Sequence, residues 1–407
     1  MSLTLSNEPI TAVPGFRAAG VAAGIKKRGG RDLALIVADR PCAAAAVFTT
    51  NQVQAAPVIF DRELLRRKPQ GIQAVVINSG CANAVTGEQG LRNAATTAQA
   101  AIELLDLPCD SVFVMSTGVI GEQLPMPKLL HGLQQAARQL AADTAAGQAA
   151  AEAIMTTDTR PKTAAVRLRL GDTPVTIAGM AKGAGMIHPN MATLLALVCT
   201  DAAIAPTALD AALRYAVERS FNCMTVDGDT STNDTLLVLA NGQAGNAPID
   251  ATTHPDYAAL REGLTAVCAA LAQQVARDGE GATKFVTIEV TGARSFEEAR
   301  QIGRTVATSN LVKTAIFGTD ANWGRVLAAV GRAGVPIAPD RLALWFGDVQ
   351  LVANGAPLAY AEADAHAALL GSAVTMRIDL GLGDARATVW TCDFSHDYVS
   401  INADYRT

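Results

Sequence analysis

At 407 residues, half of them apolar and only 17% charged, the chain is long enough for two or three domain-sized units and too apolar to be disordered. A net charge of −5 without a long basic run leaves no electrostatic footprint for nucleic acid or an anionic membrane. Seven dispersed cysteines with no Cys-x-x-Cys pair argue against a disulfide framework or a zinc site, so no metal is expected, and each cysteine reads as a small buried hydrophobe. Aromatic residues are only 4%, so the core must come from Ala, Gly and branched aliphatics at close backbone approach. No apolar run is long enough to span a bilayer, and the N-terminal residues lack the basic and apolar regions of a secretory signal, which predicts a cytoplasmic protein.

The glycine-rich segment Pro14 to Asp39 carries Lys26, Lys27, Arg28 and Arg31 before an apolar strand, Leu33 to Val37. Glycines that precede a strand are not a dinucleotide fingerprint, so a hairpin with a solvated basic loop is expected. Further strands are predicted at Ala46 to Phe48, Gln73 to Asn78 and Ser111 to Met115, with helices over Leu91 to Leu107, Lys128 to Leu140 and Thr144 to Met155. Thr117 and Gly118 directly follow one of these strands. A hydroxyl-glycine pair there can offer donors to an oxyanion, although Thr-Gly is also a common turn element. The loop Thr156 to Lys162 is rich in hydroxyls, which suit either a polar substrate or turn chemistry.

Ala165 to Leu170 and Val175 to Gly179 alternate like paired strands and lead into the most suggestive stretch, Met180 to Asp201. Lys182 lies in a glycine-rich turn, His188-Pro189-Asn190 follows, and Thr193 opens the apolar strand Leu194 to Cys199. Gly183, Gly185 and Pro189 suggest a constrained approach to the Ala192–Thr193 peptide bond. A threonine freed at an N-terminus would carry its own base, an α-amine with a reference pKa of about 7.7–8.0. Threonine also simply favours strands, and residue types alone weigh more heavily for that plain role.

Beyond Thr193, helices are predicted over Pro206 to Ser220 and Tyr257 to Asp278, the latter striped by Leu260, Leu264, Cys268 and Leu271. The loop Asn222 to Asp234 alternates acids and amides but lacks the closing glutamate of a calcium loop. A rigid polar loop built on side-chain-to-backbone hydrogen bonds is favoured over a metal site. Glu280 stands between two glycines and can face a substrate ammonium or simply be solvated. A second α/β pattern follows: strand Phe285 to Val290, helix Phe296 to Ser309, strand Lys313 to Phe317 and helix Gly324 to Gly331. Strands near Leu342 to Phe346, Val349 to Val352, Val374 to Asp379 and Ala385 to Thr391 come next, and Asp397 to Thr407 reads as a final strand with a polar tail.

Lys-Gly-Ala-Gly-Met-Ile-His-Pro-Asn-Met-Ala-Thr at 182–193 closely resembles the self-cleavage signature of the ornithine acetyltransferase family. So do, in the family's order, Ser-Thr-Gly-Val-Ile-Gly at 116–121, Met-Thr-Thr-Asp-Thr at 155–159 and Val-Asp-Gly-Asp-Thr-Ser-Thr-Asn-Asp at 226–234. Arg-Asp-Gly-Glu-Gly-Ala-Thr-Lys-Phe at 277–285, Asp-Ala-Asn-Trp-Gly-Arg at 320–325 and the last ten residues from Tyr398 complete the resemblance. One departure is Ala184, where the family commonly has serine.

The resemblance implies a layered α/β sandwich with antiparallel sheet and outer helices, similar to the N-terminal-nucleophile aminopeptidases. It implies self-cleavage between Ala192 and Thr193 into an α chain, 1–192, and a β chain, 193–407, assembled as an α2β2 heterotetramer. Thr193 would be the nucleophile, Thr117 and Gly118 the oxyanion hole, and Thr156, Lys182, Thr193, Glu280, Asn402 and Thr407 the substrate contacts. The implied reaction moves an acetyl group from N-acetylornithine to glutamate in arginine biosynthesis, with acetyl-CoA as a further co-substrate in bifunctional members and no bound cofactor. Two rivals remain: a self-processed hydrolase that passes the acyl group to water, and a non-enzymatic amino-acid-binding protein.

Overall fold

In the computed structural model, residues 3–188 and 194–404 are described. They form two compact units, each discontinuous in sequence: one from 3–183, 194–222 and 230–271, the other from 184–188, 223–229 and 272–404.

The first unit is organised by one strand, Leu33–Phe48. Its first part pairs antiparallel with Phe16–Val21 and Gln70–Cys81. Its last residues, Ala43 to Phe48, pair with Thr235–Ala240. The change of partner falls where Asp39, Arg40 and Pro41 are exposed and the register shifts, and Pro41 has no N–H to offer a ladder. The expected strand at Ala46 to Phe48 is thus the far end of the same element. Outward from Thr235–Ala240 the sheet continues through Leu195–Thr200, Thr173–Lys182 and Lys162–Leu170, with Leu5–Ser6 at the edge.

Alternation divides this sheet between two cores. Ala34, Ile36, Val75, Ile77, Phe113 and Met115 share one with Ala178, Met180, Leu197 and Leu237, so the two arms of the open sheet bury a common core. Leu33, Leu35, Val76 and Val114 face the other way, against Ala98 and Leu133 of helices Gly87–Leu105 and Met126–Arg138. Small residues set the spacing: a Cβ on Gly20 would collide with the Ala149 carbonyl of helix Thr144–Ala153. On another outer face, the predicted stripe Leu260, Leu264, Cys268 and Leu271 is buried, and Leu271 packs against Gly179.

The second unit holds a six-stranded sheet in the order Ala356–Pro357, Val349–Ala353, Ala343–Phe346, Ala373–Asp379, Phe285–Ala293, Ala385–Cys392. Helix Phe296–Ala307 packs on the last two strands, with Gly303 against Val389. Ser295 caps that helix by accepting from Glu298 N. The layered α/β architecture is as expected, with the sheets mixed rather than wholly antiparallel. The parallel pairings are Gln70–Cys81 with Val112–Val119, Leu195–Thr200 with Thr235–Ala240, and Phe285–Ala293 with Ala373–Asp379.

Two local expectations are overturned. Lys313 to Phe317 is not a strand but part of helix Asn310–Phe317, which buries Val312, Lys313, Ala315 and Ile316 at helical spacing. Its Lys313 ammonium is satisfied by Thr391 Oγ1 at 3.0 Å and by the Cys392 carbonyl. Asp397 onward is not a final strand either. Ser395 accepts from Asp397 N and opens helix His396–Ala403, which leaves Val399 and Ile401 exposed. Residues 405–407, including Thr407, lie outside the described residues.

Candidate active site

In the first unit the ends of two parallel strands lie side by side, with Ser79 beside Thr117 and Gly80 beside Gly118. Gly118 has φ +131, and a Cβ there would collide with the Gly80 carbonyl carbon and the Cys81 nitrogen, so only glycine fits. Ser116 is held from two sides: its Oγ donates to Asn78 Oδ1 at 2.6 Å, and its carbonyl accepts from Asn233 Nδ2 at 2.7 Å. Thr117 and Gly118 therefore lie within strand Val112–Val119 instead of after it, held by its ladder, and both residues are half-buried.

Lys182 ends strand Thr173–Lys182 and is only 7% exposed. Its Nζ lies 3.3 Å from Thr117 Oγ1. An ammonium only donates, so the Thr117 oxygen accepts and its own proton remains to be donated onward. A polarised hydroxyl in a low-dielectric setting is suited to an oxyanion.

Asp158 gathers the surrounding loops. Its carboxylate accepts from Lys162 Nζ at 2.6 Å, Gly183 N at 2.7 Å and Thr156 N at 2.9 Å. Thr156 and the residue after Lys182 are thereby tied to one buried group. Burial alone would raise the Asp158 carboxyl, but the charges of Lys182 and Lys162 and its hydrogen bonds hold it down to about 2. Asp234, at the head of strand Thr235–Ala240, contrasts with it: it is buried, and its Oδ2 has no hydrogen-bond partner. Burial pushes its carboxyl well up, against hydrogen bonds from Ser231 and the attraction of Lys182.

The basic loop departs from the expected solvated form at one residue. Asp32 accepts from the backbone N–H groups of Ala23, Ile25 and Lys26. Lys26 is consequently half-buried, with its ammonium on the Arg31 carbonyl and its pKa lowered by burial.

In the second unit Glu280 is not a solvated loop carboxylate: it is buried. Its N–H donates to the Ala184 carbonyl at 2.9 Å, and its Oε2 accepts from Asn402 Nδ2 at 2.8 Å. A Cβ on Gly185 would collide with that carboxylate, and one on Gly281, at φ +68, with the Tyr398 nitrogen. The polar loop around Asp227 is built on side-chain-to-backbone bonds, as expected: Asp227 accepts from Met186 N, Ile187 N and Asp229 N.

Of the predicted residues, Thr117, Gly118, Thr156 and Lys182 are thus linked within one unit, and Glu280 with Asn402 within the other. Ala192, Thr193 and Thr407 lie outside the described residues. Asp158, Asp227 and Asp234 lie in the two loops whose polar character the sequence showed, 156–162 and 222–234, but none was assigned its role as a buried hub there; the Asp158/Lys162 spacing of four was a further local signal. Among the described residues no group of His, Cys, Asp and Glu is placed to hold a metal, and no helix is long and apolar enough to cross a membrane. Six cysteines are buried, while Cys109 is exposed.

A mixed α/β protein that backs a threonine hydroxyl with a buried lysine, beside a strand end only glycine can occupy, has the parts to stabilise negative charge in acyl transfer. A model of the ArgJ family matches residues 17–407. The arginine biosynthesis bifunctional protein ArgJ of Symbiobacterium thermophilum is 53% identical over 98% of both chains. The mitochondrial bifunctional ArgJ of Aspergillus clavatus is 50% identical over 97% of this chain and 91% of its own. A solved structure of ornithine acetyltransferase from Mycobacterium tuberculosis, complexed with ornithine, is 43% identical, covering 46% of this chain and 99% of its own at a TM-score of 0.44. The chain belongs to the ArgJ family.

Proposed function

We propose that this chain is a glutamate N-acetyltransferase of arginine biosynthesis that moves the acetyl group of N-acetylornithine to glutamate through an acetyl-threonine. The observation that carries the reading is the Lys182–Thr117 contact beside Gly118, in a chain belonging to the ArgJ family over nearly its full length.

In this reading Thr193 Oγ attacks the Ala192 carbonyl, the amide becomes an ester, and water opens it to leave a free Thr193 amine. The products, 1–192 and 193–407, have reason to stay together. Strand Leu195–Thr200 pairs with Thr173–Lys182, and Thr235–Ala240 pairs with Leu33–Phe48, so backbone ladders join the pieces on both sides of the cut.

In acetyl transfer the Thr193 α-amine takes the hydroxyl proton as Oγ attacks the acetyl carbonyl. Thr117 and Gly118 stabilise the tetrahedral oxyanion, and the proton passes to the departing ornithine amine. The glutamate amine then attacks the acetyl ester and regenerates the hydroxyl. Lys182 pairs with a substrate carboxylate, Glu280 and Asn402 with its ammonium, and Thr156 and Thr407 complete the contacts. Acetyl-CoA serves as a second acetyl donor, no bound cofactor is needed, and the cut chains assemble as an α2β2 heterotetramer in the cytoplasm.

The test is acetyl transfer from N-acetylornithine, and separately from acetyl-CoA, to glutamate, with free acetate measured alongside. Wild-type enzyme is expected to run as two fragments and to form N-acetylglutamate, while Thr193→Ala stays at 42.1 kDa and inactive. Release of acetate without transfer would instead identify a hydrolase. Normal cutting of Thr193→Ala would place the nucleophile elsewhere.

A further inference from the structure

The run 184–188, in the second unit, is fastened along its whole length. The Ala184 carbonyl accepts from Glu280 N, and the Asp227 carboxylate spans two successive amides, Met186 N at 2.6 Å and Ile187 N at 2.8 Å. Met186 sits at φ +56, a left-handed conformation that a side-chain-bearing residue adopts only when its surroundings impose it. The Ile187 carbonyl is taken from two sides, by Val226 N at 2.7 Å and Thr225 Oγ1 at 2.9 Å.

His188 closes the arrangement with a determinate tautomer. Arg304 lies 2.8 Å from Nε2, and a guanidinium only donates, so Nε2 accepts and the ring proton is on Nδ1. Nδ1 then donates to Thr225 Oγ1 at 3.1 Å, which passes its own proton to the Ile187 carbonyl. The direction of every bond from Arg304 to Ile187 is thereby set. Burial and the Arg304 charge lower the imidazole to about 4, so the ring is neutral at physiological pH.

Three residues separate this clamp from Ala192. We propose that Asp227 and His188 are positioning residues for self-processing: they present residues 186–188 in one backbone geometry, which limits the conformations open to the chain that follows. The inference rests on the self-cleavage reading above. Attack of a hydroxyl on its own preceding carbonyl is governed by orientation, and ordering the chain in advance removes an entropic cost from that step.

Newly synthesised chain, followed by denaturing gel as the 42.1 kDa band converts to fragments, tests this. Asp227→Asn, which puts an amide NH2 against a backbone N–H, and Thr225→Val, which keeps shape but removes the hydroxyl, should each slow conversion about 10- to 100-fold. Thr225→Ser keeps the hydroxyl and should convert at the wild-type rate. On an uncut Thr193→Ala background, the Asp227→Asn and Thr225→Val chains should melt within about 5 °C of their parent. Wild-type rates for both variants would overturn the proposal. So would slowing matched by a large fall in melting temperature, or equal slowing in Thr225→Ser. A wild-type chain that never converts would break the cleavage reading itself.

Discussion

Two aspartates in the first unit, Asp158 and Asp234, are both buried and both within the field of Lys182, yet their carboxyls move in opposite directions. Asp158 has three donors, one of them a second lysine, and is held down to about 2. Asp234 has an oxygen with no partner, and burial pushes its carboxyl well up. Burial acts alike on both, so the partners decide the charge. The second unit repeats the lesson: burial raises Asp227 and the charge of Asp229 adds to the rise, which the amides it accepts from only partly offset.

The largest effect that would break this contrast is Asp158→Ala. It removes the carboxylate that faces the ammonium of Lys162, 1% exposed, and is expected to cost about 3–5 kcal/mol, read as a fall in the urea midpoint of the uncut Thr193→Ala protein. A cost under about 1 kcal/mol would mean the pair is not held as described.

The contrast also has a pH signature. The folded Asp158 value lies below the ordinary 3.8, so its stabilisation is complete above that value and is lost as pH falls through about 2. The stability gap between wild type and Asp158→Asn should accordingly narrow between pH 4 and pH 2, measured by urea titration at each pH. His188 adds a separate acid sensitivity with the same sign. Its folded value of about 4 lies below the unfolded 6.5, so its contribution is complete above 6.5 and declines as pH falls through 4.

The smallest effect is expected from Asp234→Asn. Burial pushes the Asp234 carboxyl up and so disfavours its charge, and an amide of the same shape carries none, so stability should change by about 1 kcal/mol or less, checked by thermal melting at pH 7. A large stabilisation instead would show that Asp234 is ionised in the folded protein.

Much of the fold was legible because its elements are strongly periodic. The stripe on Tyr257–Arg277, the hairpin Lys162–Leu170 with Thr173–Lys182 and the alternation of Phe285–Ala293 follow from side chains that must share a face. Lys313 to Phe317 failed because a short apolar run suits a strand and one turn of buried helix equally, and packing arbitrates. The C-terminal run failed because Val399 and Ile401 mimic strand alternation while the Ser395 cap sets a helix.

Sequence by itself determined the family, the order of elements and the residue types available for acyl transfer, since these are written in local pattern and ordered motifs. Tertiary structure alone decided that Lys182 meets Thr117 across 65 positions, that Asp227 clamps Met186 and Ile187, and that the Asp158 carboxyl is held down while that of Asp234 is pushed up. Those outcomes depend on which charges and donors the folded chain brings within a few ångströms of a buried group, and spacing along the chain does not encode that distance.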